Sequence, residues 1–235
     1  DANTTGSDNV GVGALALSAN TTASNNVAIG RSALATNTTG SGHVAAGYQA
    51  LTANTTGDES TAFGSGTLEA NTTGGKNTAV GFEALHVNTT GNRNTAVGAH
   101  ALDAATTASY NAALGTFALS DNTTGANNTG LGYYALAVNT TASNNTAVGY
   151  QALTANTTGE YNVAIGGSTL AASTTTSSNT AIGYAALYAN TTGTGHVAVG
   201  NGALDANTTG SSSTAVGYNA CLLYTSDAAD DLLCV

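Results

Sequence analysis

Apolar and polar positions follow one another along this chain in a pattern that repeats every 17 residues without an insertion. Numbered from Asn3, the unit reads N-T-T-G-x-x-N-T/V-A-V/I-G-x-x-A-L-x-A. Residues 3–206 hold twelve complete units, and 207–220 supply fourteen positions of a thirteenth. The eighth to tenth positions, as in Val27-Ala28-Ile29 and Thr78-Ala79-Val80, alternate with period two and predict a short strand with one buried face. The aliphatic tenth position (Val12, Ile29, Val80, Ile165) and the leucine that fills the fifteenth in all twelve complete units are expected to form the core. The eleventh position is glycine in every unit, the mark of a positive φ or of a backbone with no room for a β-carbon. Asn-Thr-Thr-Gly has turn chemistry, and the variable fifth, sixth, twelfth, thirteenth and sixteenth positions are expected to face solvent. The stretch from the twelfth to the seventeenth position, such as Tyr48 to Ala53, reads either as a second strand or extended coil, or as one helical turn.

A single unit is too small to stand alone. Burying its Leu, Val and Ala contributes roughly 5–8 kcal/mol, while ordering 17 residues costs on the order of 20 kcal/mol. Stacking of identical rungs supplies the difference, because each strand ladders onto the next and equivalent side chains form continuous columns. The expected fold is therefore all-β: a parallel β-solenoid of 17-residue rungs over residues 1–220, a rod about 60 Å long. The alternative is a strand plus one helical turn per rung.

Composition narrows what such a rod does. Only 7% of residues are charged, against roughly 25% in an ordinary domain. Three cations in a chain of net charge −10 exclude a basic groove, so nucleic acid is not an expected partner. No apolar run approaches the roughly 18 residues of a membrane span. The absence of proline suits a rung whose N–H groups are all needed for the ladder.

After Ala220 the register stops. The stretch Cys221-Leu-Leu-Tyr-Thr-Ser-Asp-Ala-Ala-Asp-Asp-Leu-Leu-Cys-Val235 has no counterpart in any unit and resembles a translated sequencing-library adapter, which implies a non-native tail over 221–235. Set against this is a cap helix over Asp227 to Leu233 with a Cys221/Cys234 disulfide. Because Asp1-Ala2 match the last two positions of a unit, the chain reads as an internal slice of a longer repeat protein.

Catalysis requires converging groups on unequal positions, whereas the titratable residues here scatter over variable columns. His43 and His196 replace Asn at the seventh position, and His86 and His100 sit on two other columns; metal ligation and catalytic residues are not expected, and no cofactor is implied. Asp58-Glu59 reads as a solvated turn. Lys76, Arg93 and Arg31 are too few for anion recognition. Aromatic residues recur at the twelfth position: Tyr48, Phe82, Tyr133, Tyr150, Tyr184 and Tyr218. They form either an outward contact stripe, able to stack on sugars or to meet another subunit, or rings laid over a neighbouring rung's glycine. Asn-Thr-Thr also fits the N-glycosylation pattern, but its periodicity is better explained by stacked turn amides and hydroxyls. The paired threonines raise an ice-binding face, against which stands the opposite pointing of adjacent residues on a strand.

The segments Asn26-Val-Ala-Ile-Gly30, Asn162-Val-Ala-Ile-Gly166 and Asn179-Thr-Ala-Ile-Gly183 resemble the core of YadA-like head repeats in trimeric autotransporter adhesins. The resemblance spans residues 3–220. It implies a left-handed parallel β-roll, a homotrimer, display outside the cell, and binding to extracellular matrix, glycan or another host-surface ligand. Similar tandem arrays occur in phage tail-fibre-like proteins. A longer unit and the strict Ala-Leu pair depart from the adhesin pattern. The reading is a non-catalytic structural and adhesive module, the head or stalk of a surface-exposed fibre. A phage-type tail-fibre shaft and a single-chain ice- or glycan-binding solenoid are the alternatives.

Overall fold

A computed structural model describes residues 2–221. Thirteen three-residue strands, from β1 (Val10–Val12) to β13 (Thr214–Val216), form one parallel sheet in strict chain order. The register advances by one whole unit at each step, so that Ala28 faces Ala45 and Ala45 faces Ala62. The fold is the expected parallel β-solenoid. The tail beyond Cys221, under either reading given for it, lies outside the described residues. Cys221 itself occupies the leucine position of the last rung and rests against the core.

The strand accounts for only three residues of each rung, so most of the stacking lies elsewhere. Leu34 N–H donates to the Ala50 carbonyl (3.0 Å), Thr36 N–H to that of Thr52 (3.2 Å), Gln49 N–H to that of Arg31 (3.0 Å) and Glu59 N–H to that of Ser41 (2.9 Å). Corners therefore ladder as the strands do, and the backbone groups of a rung find partners one unit away.

The twelfth-to-seventeenth stretch is neither a second strand nor a helical turn. It is a run of tight turns, closed by bonds such as Thr52 N–H to Gln49 (3.3 Å) and Asn54 N–H to Leu51 (3.2 Å). In every rung the residues at the sixth, thirteenth and fifteenth positions adopt left-handed φ, between +49° and +75°. The leucines are included, Leu34 at +50° and Leu102 at +55°. Left-handed backbone costs a leucine roughly 1–2 kcal/mol, and burying its side chain contributes about 1.5–3 kcal/mol. Burial wins because that backbone alone aims the side chain into the rung.

The core corrects the expectation for the tenth position. Leucines from Leu34 to Leu204 are fully buried, but the strand residue that joins them is the ninth-position alanine, as in Ala28, Ala79 and Ala164. The tenth-position side chains point outward: Ile29 is 46% exposed and Phe63 60%. Thickness is the reason. With a leucine reaching across from the far corner, the rung interior admits a methyl from the strand and nothing larger. At the eleventh position glycine is obligatory for two reasons at once: φ lies between +128° and +147°, and a Cβ on Gly98 would sit 2.6 Å from the Gly115 carbonyl.

Two columns of amides line the remaining interior. At the first position the Nδ2 of each Asn donates to the Oδ1 of the Asn one rung earlier, in series from Asn20 to Asn88 and again from Asn139 to Asn156, with 2.9 Å for Asn54 to Asn37 and 2.8 Å for Asn88 to Asn71. At the seventh position each Oδ1 accepts the next rung's N–H, as Asn77 does from Asn94 (2.9 Å), while Nδ2 donates to a carbonyl of that rung. The first column breaks where Ala105 and Ser173 replace Asn. Within this column the acceptors left without a donor, among the described residues, are Asn88 Oδ1 and Asn156 Oδ1, the two that those side chains would have capped.

An unpaired buried acceptor costs roughly 1–3 kcal/mol. Ala105→Asn and Ser173→Asn are each expected to add about 1 kcal/mol and to raise Tm by about 2–4 °C, read by thermal circular dichroism. Asn71→Ala, cutting an intact column, is expected to lower Tm. Gly98→Ala is expected to cost at least about 2 kcal/mol in urea melts, combining strain with a backbone clash.

Candidate functional site

Side chains at the eighth, tenth and twelfth positions leave the sheet on its outer side. The first two are Val or Thr and Val, Ile, Leu or Phe in nearly every rung, and Arg31 is the one charged residue in the three columns. The acids of the described residues lie on other columns, at the fifth, sixth, thirteenth, sixteenth and seventeenth positions. The result is a nearly uncharged face running the length of the rod, apolar along its tenth-position column and bordered by turns that carry the charge.

All six aromatic residues of the candidate stripe, Tyr48, Phe82, Tyr133, Tyr150, Tyr184 and Tyr218, are exposed on this side. They do not form one continuous array. Tyr133 and Tyr150 stack at 5.9 Å, Arg31 lies 5.9 Å from the Tyr48 ring, and Tyr184 leans on the neighbouring rung's Gly167, where a Cβ would meet it at 3.4 Å. A second run joins them from the thirteenth position: His100 stacks on Phe117 (5.2 Å) and Phe117 on Tyr134 (5.0 Å), while Phe82 meets His100 edge-on and Tyr133 meets Tyr134 likewise. Rings stacked along the rod axis turn their faces to one another and their edges to solvent. That geometry suits a contact with another surface better than a platform for sugars.

His100 Nδ1 also lies 3.3 Å from Asp103 and 3.5 Å from Glu83, and His86 Nδ1 lies 3.7 Å from Glu69. Burial pushes the Asp103 carboxyl above its ordinary range, and His100 beside it opposes the shift. Among the described residues no three His, Cys, Asp or Glu side chains gather where one metal ion would bind. Asp58 and Glu59 lie on the turn edge, where Asp58 Oδ1 accepts the Ser41 N–H (2.8 Å) and Glu59 pairs with Lys76 (3.8 Å).

His43 and His196 are core residues that substitute for Asn. In His43, Nδ1 accepts the Ser60 N–H (3.1 Å) and Nε2 lies 2.6 Å from the Gly57 carbonyl, the same pair of bonds that a seventh-position Asn makes. Neutral imidazole with its proton on Nε2 satisfies both. Burial holds both histidines below the ordinary imidazole range.

The threonines of Asn-Thr-Thr do not lie on a strand. The first donates its hydroxyl to the next rung's carbonyl, as Thr55 does to Thr72 (3.0 Å), and the second is exposed on rung after rung. The Asn before them is buried in the amide column, which accounts for the periodic Asn-Thr-Thr without glycan attachment. No family model, no curated protein and no solved structure matches the chain.

The buried histidines set the sign of a pH effect. Unfolded, they take up protons near pH 6.5; folded, they resist, so stability falls as pH drops through that value towards the folded pKa. Asp103, raised rather than lowered, acts in the opposite sense near the carboxylate range. Tm is expected to fall between pH 7.5 and 5.5 in the native chain, and the His43→Asn, His196→Asn double variant should flatten the curve over the same interval.

Proposed function

We propose that this rod is a non-catalytic structural and adhesive module, the head or stalk of a surface-exposed fibre, assembled from three copies of the chain through its outer sheet face. The observation that carries the reading is the extent and neutrality of that face. Thirteen rungs at about 4.8 Å and a width of about 13 Å give on the order of 800 Å², the area that each partner contributes to a standard stable interface. Within it the tenth-position column is apolar on all thirteen rungs, and a monomer rarely leaves a continuous apolar strip of that length to water. Charge argues for a like partner: the turns around the face carry the net negative charge, so copies approach with least repulsion face to face. The strand segments that resemble YadA-like heads support threefold assembly, and with it display outside the cell, whether on an adhesin or as a tail-fibre shaft. Matrix, glycan or a host surface would be met by the turns that remain outside.

A second reading has one observation in its favour. The exposed threonine at the third position recurs on all thirteen rungs, from Thr5 to Thr209, a regular hydroxyl column suited to a single-chain ice-binding rod.

Light scattering in solution separates the two. The expected mass is three times the 22.7 kDa of one chain. Val97→Lys with Ile165→Lys, both on the outer face, should give a monomer with an unchanged far-ultraviolet spectrum. A native monomer showing thermal hysteresis would favour the ice-binding rod and overturn the fibre.

A further inference from the structure

In a repeat protein a specific site shows as a local departure from the repeat, and the turn edge of rungs four to six departs in three ways at once. The fifth position, Ser in seven units and otherwise Asp, Asn, Glu, Thr or Ala, is Gly75 in this unit alone. The sixth position carries a cation on two successive rungs, Lys76 and Arg93, and nowhere else. Around them lies a notch of about 230 Å³, lined also by Thr56, Thr73, Asp58 and Asn92.

Both cations are held for use. Tyr110 fixes Arg93 from one side, its hydroxyl 2.8 Å from Nη1 and its ring 5.4 Å from Cζ, and no carboxylate of the described residues pairs with that guanidinium. Lys76, one rung away, has Glu59 at 3.8 Å across an exposed gap. Two like charges on adjacent rungs repel, and an anion placed between them relieves the repulsion. The guanidinium fork suits a carboxylate, which takes two parallel N–H donors. Thr56 and Thr73 present third-position hydroxyls at the rim of the notch. Asp58 lines the notch and, with Glu59 beside Lys76, disfavours polyanions.

We propose that this notch binds an acidic monosaccharide residue carrying one carboxylate and several hydroxyls, with Arg93 and Lys76 on the carboxylate and Thr56 and Thr73 on the hydroxyls. The site lies on the turn before the strand, outside the outer sheet face, so it stands or falls independently of the assembly proposed above. Three cations counted over the whole chain are too few for a basic surface; two of them 17 residues apart are neighbours in space.

Saturation-transfer difference NMR on the full chain tests the site, with sodium glucuronate as the probe, glucose and sodium acetate as comparators, and sodium sulfate, which has no protons of its own, read as a competitor of the glucuronate signal. The expected result is millimolar binding of glucuronate, at least tenfold tighter than any comparator. Arg93→Gln should weaken it tenfold or more. So should Gly75→Ser, which keeps every charge and installs the residue common at that position. Glu59→Gln, which frees Lys76, should tighten it severalfold. Binding that survives Arg93→Gln overturns the proposal, as does acetate or sulfate binding as well as glucuronate, which would reduce the notch to a generic anion contact. Glucose binding equally well overturns the role of the carboxylate.

Discussion

Everything in this rod depends on hydrogen bonding between residue i and a residue about one unit away. Because strands and corners ladder alike, each side chain has its counterpart one rung above and below at about 4.8 Å. A side chain that attracts its own copy, as an amide or an aromatic ring does, strengthens the stack; one that repels its own copy weakens it. This explains the composition from the inside. Charged residues number only 7% because a charge repeated on a column would face itself along the whole rod, and proline is absent because rung after rung spends its N–H groups on neighbours.

The same constraint sets how little core the molecule needs. One leucine and two alanines per rung fill an interior that stacking has already made narrow, and the leucine accepts an unfavourable backbone to reach it. The apolar residues that a globular protein would bury, from Val12 to Val216, stand outside instead. A thin solenoid has more hydrophobic side chains than interior, and the surplus gathers on the flattest side.

The period, the strand, the leucine column and the turn-forming Asn-Thr-Thr were legible in the residues, because each repeats with its chemistry intact. Which strand face is buried was not legible from alternation alone. Period two separates Ala28 from Val27 and Ile29 without saying which is inside, and hydrophobicity favours the wrong pair. The better signal was tolerance of size: the ninth position is alanine or glycine throughout, whereas the tenth runs from Ala46 to Phe63. Left-handed turns at Leu34 or Phe117 leave no local trace, since neither residue prefers that backbone and only the stack imposes it. Among the aromatic residues, Tyr133 and Tyr150 stack within the stripe's own column, whereas the other ring contacts run through a second column, that of His100, Phe117 and Tyr134.

The two gaps in the first-position amide column give the rod an internal segmentation that its uniform repeat conceals. A linear array held by nearest-neighbour contacts parts first at its weakest joint. With Ala105 and Ser173 interrupting the amides, the joints beside Asn88 and Asn156 are the poorest, and they divide the stack into blocks of six, four and three rungs. Under tension or thermal fluctuation the rod would part and rejoin block by block, keeping most of its length folded while a single joint is open.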